Sequence, residues 1–131
     1  MSQAVSWVTQ VGASELAFGA LSGWVIALSI ERPDVLRLAG VKAIPRLRQA
    51  HIDYIVMGVI LIALGLAAPG LPRLWQALLV VGALVNPTLF LPLAFRPDSA
   101  KLTWYRVITV LSFTAMSTGT VAAAVWLLAS S

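Results

Sequence analysis

Two apolar runs on either side of a short turn decide the fold. They are AHIDYIVMGVILIALGLAA at Ala50–Ala68 and LWQALLVVGALVNPTLFLPLAF at Leu74–Phe95, joined by Pro69-Gly70-Leu71-Pro72-Arg73. A bilayer core takes about 20 helical residues, and each run is long enough to cross it. Lipid offers no partner for a free backbone amide, so a lone spanning segment must be a helix. Pro69, Gly70 and Pro72 break both neighbours and read as a tight turn. Working outward, Trp7–Ile30 and Trp104–Leu128 are apolar runs of the same kind. The expectation is an all-α, four-transmembrane-helix bundle: one integral membrane domain over residues 1–131, with the lipid bilayer as its solvent.

Composition agrees with this. Of 131 residues, 60% are hydrophobic and 11% charged, against about 25% charged in a soluble domain. That excludes an ordinary soluble enzyme and a disordered chain. There is no cysteine, which excludes thiolate metal sites and cysteine nucleophiles in this chain. The net charge of +4 does not point to nucleic acid, because the basic residues lie between the apolar runs. Eight of the nine Lys and Arg fall in Glu31–Gln49, in Arg96–Thr103 and at the start of the fourth helix. The positive-inside rule then puts these two loops in the cytoplasm and both termini outside, as in a bacterial inner-membrane protein. Between Pro33 and Pro45, the segment Val35–Ile44 could form a short interfacial helix. Trp7, Trp75 and Trp126 read as anchors at the outer interface, and Trp104 and Tyr105 at the inner one.

Small residues recur at helical spacing: Gly19 and Gly23, Gly58 and Gly65, then Ser112, Ala115, Gly119 and Ala122. Such stripes let helices approach closely in lipid. They leave more close-packing surface than one bundle uses, which predicts a homo-oligomer.

Polar groups inside membrane helices are costly and mark candidate sites. Glu15, about two turns into the first helix, is a carboxyl kept protonated by burial, or one bonded to a neighbouring helix, or else a proton or cation site. His51, the single histidine, opens the second helix and is either an interfacial ring or a metal ligand. Gly58 and Gly65 lie on its side of the helix, a flat surface that either a planar cofactor or another helix would fill. Tyr54 shares the His51 face at i+3. Asp53 points about 200° away and reads as a charge near Arg46 or Arg48. Asn86 precedes Pro87 deep in the third helix. It either bonds the ladder that proline breaks or points a donor into a cavity.

No GxSxG, HExxH or phosphate-binding glycine loop is present. One histidine and scattered acids do not assemble a protein-only metal site by spacing. A haem needs only one axial residue from the protein. Met57 sits about 240° from His51 around the helix and cannot close the same iron, which leaves Met116 or a neighbouring subunit, or five-coordinate iron.

The stretch Arg48-Gln49-Ala50-His51-Ile52-Asp53-Tyr54-Ile55-Val56-Met57-Gly58 resembles the opening of helix two in styrene oxide isomerases and the related hydroxylaminobenzene mutases. Asn86 is similar to that family's helix-three asparagine. The resemblance covers Arg46 to Phe95 and the four-helix layout. It implies a haem b protein, trimeric, with haem between subunits and His51 as axial ligand. The iron would act as a Lewis acid on a small hydrophobic substrate such as an epoxide. Asn86 and Tyr54 would then be the catalytic residues, with Gly58 beneath the haem and Arg46 and Arg48 on its propionates. Three positions depart from the family. Met57 stands where the isomerases have asparagine, Gly82 where they have aspartate, and Phe90 where they have tyrosine. The acid two after the histidine is closer to the mutases. The alternative functions are a small proton-coupled cation transporter using Glu15 and a non-catalytic membrane scaffold.

Overall fold

A computed structural model describes residues 4–131. The chain is all-α, with four helices long and apolar enough to cross a membrane. They are α1 (Trp7–Glu31), α3 (Ile44–Ala67), the pair α4 (Arg73–Thr88) and α5 (Phe90–Phe95), and α6 (Thr103–Ala129). A short α2 (Pro33–Leu38) lies in the first loop, and a 3-10 turn (Pro97–Lys101) in the last.

The boundaries follow local chemistry. Ser6 caps α1, its Oγ accepting the Thr9 N–H at 3.2 Å. α2 opens on Pro33 and α3 carries Pro45 in its first turn, positions where the missing N–H costs nothing. Gly40, at φ +101°, takes the left-handed turn that ends the α2 segment. α3 starts six residues earlier than the apolar run at Ala50, so Arg46 and Arg48 are helical and His51 lies inside the helix rather than at its opening. The third span breaks after Thr88. Pro92 has no N–H to give the Thr88 carbonyl, and its ring crowds that oxygen.

The helices pack as two close pairs, α1 with α3 and α4 with α6, with α3 joined to α4 and α5. Glycine makes both seams. A Cβ on Gly58 would lie 2.7 Å from Leu16 N, and one on Gly12 would lie 2.8 Å from Ile62 N. In the other seam, a Cβ on Gly82 would lie 2.8 Å from Met116 N, and one on Gly119 would lie 2.8 Å from Leu79 Cγ. Much of the small-residue surface is therefore used within one chain, while Gly23 and Ala122 stay partly exposed.

Tertiary hydrogen bonds tie the ends. The Lys42 and Ala43 N–H groups both donate to Ala94 O, at 2.8 and 2.9 Å, joining the first loop to the end of α5. Leu36, Val41 and Ala94 form a small core there. At the other end, Trp7 Nε1 donates to Gln76 Oε1 at 2.6 Å, and Trp126 packs over Gly70. Tyr105 is not an interfacial anchor. It is buried and donates to Leu89 O at 2.8 Å, satisfying a carbonyl where the third span breaks. Among the described residues one ion pair forms, Arg32–Asp34 at 3.0 Å on the surface, and the guanidinium holds the Asp34 carboxyl below its ordinary range.

Candidate functional site

His51 faces α1. Its Nδ1 lies 2.7 Å from Gly19 O and 2.8 Å from Ser22 Oγ. A carbonyl only accepts, so Nδ1 carries the proton. Ser22 Oγ gives its own proton to Gly19 O at 2.6 Å, so toward the ring it too acts as acceptor. In the neutral ring this leaves Nε2 unprotonated. Nε2 has no hydrogen-bond partner, is not among the sealed polar atoms, and lies beside Gly23. The His51 side chain borders a recess of about 150 Å³ whose other lining residues include Phe18, Ser22, Val25, Leu47 and Tyr54. This is how metal-ligating histidines are set up, one nitrogen held by a carbonyl and the other free.

The donor fits a haem; the surface expected to cradle it does not. Gly58 and Gly65 are buried against Leu16, Gly12 and Thr9 of α1, so no planar group can lie on them. Small-ligand sites enclose about 300–1,000 Å³, more than the recess at His51 offers. One chain thus offers a nitrogen donor beside a recess too small to enclose such a group. Arg48, exposed and three residues before His51, lies near its face. Arg46 is about 140° round the helix from His51 and donates to Gln49 Oε1 at 2.9 Å. Met116 is buried against Gly82 in the α4–α6 seam, away from the His51 seam, and is no second ligand within the chain.

Tyr54 is buried, edge-on to Phe18 with ring centroids 4.9 Å apart. Its hydroxyl lies 2.6 Å from Thr88 Oγ1, which gives its own proton to Leu84 O. The Tyr54 proton is therefore committed to Thr88. The residue joins α3 to α4 and offers lone pairs, not an acid.

Asn86 does not repair its own helix. Its Oδ1 accepts from Ser112 Oγ of α6, which leaves the Nδ2 protons without a partner. It lines a cavity of about 300 Å³ with Asp53, Met57, Phe90, Tyr105 and Thr109 among the walls. Asp53 makes no ion pair with Arg46 or Arg48 and faces this cavity instead. Two of the three departures noted in the sequence, Met57 and Phe90, meet Asn86 there. The third, Gly82, has no room for a side chain against Met116. His51 and Asn86 lie on different sides of α3, so one chain does not bring them together.

No family model, curated protein or solved structure matches the chain. Among the described residues, no three His, Cys, Asp or Glu side chains converge as a metal site.

Ser22 and Ser112 were not singled out as site residues from the sequence. Their signal was there: each belongs to a small-residue stripe, Ser22 three after Gly19 and Ser112 at the head of the α6 series.

Proposed function

We propose that the protein is a haem b-binding membrane isomerase or mutase, working as a homo-oligomer, with a trimer favoured by resemblance. The observation that supports this most is the His51 ring, with its Nδ1–H held by Gly19 O and its Nε2 without a hydrogen-bond partner. His51 Nε2 would hold the haem, and the haem would supply a Lewis acid for the oxygen of a small apolar substrate such as an epoxide.

The chain's own residues do the rest. Gly19 and Ser22 fix the ring's tautomer and direction. Arg48 is placed for a propionate. Asn86 directs an amide donor into an aromatic cavity, positioned by Ser112 so that its carbonyl end is already occupied. Phe90, Tyr105 and Phe113 line that cavity together with Asp53 and Thr109, and out of bulk water a hydrogen bond to a developing negative oxygen is worth more. Since His51 and the Asn86 cavity lie on different sides of α3, the site is completed by a neighbouring copy. The topology that goes with this function has the basic loops in the cytoplasm and both termini outside, in the bacterial inner membrane.

The test is turnover by protein purified from haem-supplied cells, with styrene oxide and phenylhydroxylamine as probes. Conversion of either, lost in His51→Ala and slowed in Asn86→Ala, is expected. A preparation that native mass spectrometry shows to be monomeric and that converts neither probe would overturn the assignment.

A further inference from the structure

Glu15 is the ninth residue of the 25-residue α1, deep inside the first span. It is 4% exposed, and both of its carboxyl oxygens are sealed with no hydrogen-bond partner among the described residues. No other side chain in the described residues carries such orphaned polar atoms. Elsewhere buried polar groups find partners, as with Gln76, Ser112 and Tyr105. An isolated carboxylate in an apolar medium is very costly, and a neutral acid with neither donor nor acceptor matched is still destabilising.

The residue lines a cavity of about 500 Å³ between α1, α3 and α4, together with Gln10, Ser14, Phe18, Tyr54 and Leu84. No Lys or Arg is among these residues. The titratable groups near enough to feel the Glu15 charge are Asp53 and Tyr54 of α3. α4 contributes the uncharged Leu84 to the wall, and Thr88 beyond it is held by Tyr54. Of the remaining polar groups, Ser14 Oγ donates to Gln10 O and Gln10 Nε2 to Val5 O, which leaves Gln10 Oε1 and the Ser14 lone pairs as neutral acceptors. A metal ion would find one carboxyl and few further oxygens. An organic cation would find two aromatic rings and, once the Glu15 side chain turns its sealed oxygens into the cavity, a counter-charge, the combination that recognises such cations.

We propose that Glu15 and this cavity bind a hydrophobic organic monocation, which enters as the carboxyl gives up its proton. One positive charge arrives and one leaves, so the cavity stays neutral. The site is separate from His51 and goes beyond the haem assignment. It stands or falls without it.

The test uses detergent-purified full-length protein and tetraphenylphosphonium, with binding followed by calorimetry and proton release by a pH indicator in weakly buffered solution. Saturable binding with release of protons is expected, tighter at higher pH because the cation competes with the proton. Glu15→Gln should weaken binding about tenfold or more and abolish proton release. Leu84→Trp, which keeps the carboxyl and fills the cavity, should also weaken binding, and it keeps the test decisive if Glu15→Gln does not fold. Absence of saturable binding to the wild type, binding without proton release, or affinity unchanged in Leu84→Trp or in folded Glu15→Gln would each overturn the proposal.

Discussion

Gly19 and His51 are joined across the α1–α3 seam by a 2.7 Å contact between a backbone carbonyl and a ring nitrogen. The carbonyl is free to serve two donors, Nδ1–H and Ser22 Oγ–H, because it lies at the side of a helix where the seam is open enough for an imidazole. Gly23 provides that opening. A Cβ there would lie 3.3 Å from His51 Cε1 and 3.9 Å from Nε2.

A larger side chain at position 23 should therefore cover the free nitrogen without removing it. Gly23→Leu is expected to keep the helical circular-dichroism signal and lose haem. Gly23→Ala should keep both, since a single methyl meets only the movable ring. Haem retained at wild-type level in Gly23→Leu would show that Nε2 is not approached from this side.

Gly58 serves packing. With Leu16 N at 2.7 Å and Gly12 O at 2.9 Å from an added Cβ, the obstacle is backbone, which cannot rotate away. Gly58→Ala is expected to destabilise the protein by about 1–3 kcal/mol or more, read as a lower midpoint in detergent unfolding. Gly70→Ala is expected to be near neutral, because its Cβ would meet Trp126 at an ordinary 3.5 Å.

The four spans could be read directly because hydropathy reports on lipid, and lipid permits only helix. The start of α3 could not. Arg46 and Arg48 end the apolar run, yet the helix continues through them from Pro45, where the chain leaves hydrocarbon and no longer needs apolar side chains. His51, Asn86 and Glu15 were legible as candidates because polar groups are rare in such helices. Their surroundings were not. Helical spacing says that Gly58 and Gly65 share a side with His51, but not that α1 covers them. Spacing also could not show that Asp53 turns toward Asn86 rather than toward the arginines.

Asn86 and Ser112 should be energetically coupled. A double-mutant cycle with Asn86→Ala and Ser112→Ala is expected to give an interaction of about 1 kcal/mol, in the range of hydrogen bonds between membrane helices. Asn86→Ala should also leave haem content unchanged while weakening the binding of small oxygen-bearing ligands. Additive effects of the two substitutions would mean that Ser112 does not position the amide.

With no native cysteine, single cysteines report topology cleanly. One at Ser131 is expected to react with an impermeant thiol reagent in intact cells. One at Ala43, in the basic first loop, should react only after lysis. Labelling of Ala43 alone would invert the orientation. The other terminus would be probed at Ser2, which lies outside the described residues.

Whether His51 Nε2 holds a haem is read from the absorption spectrum of the detergent-purified protein expressed with ample haem. A Soret band in the wild type that disappears in His51→Ala, with helicity retained in both, is the expected result. A wild type without the band, or a band that survives His51→Ala unchanged, would contradict it.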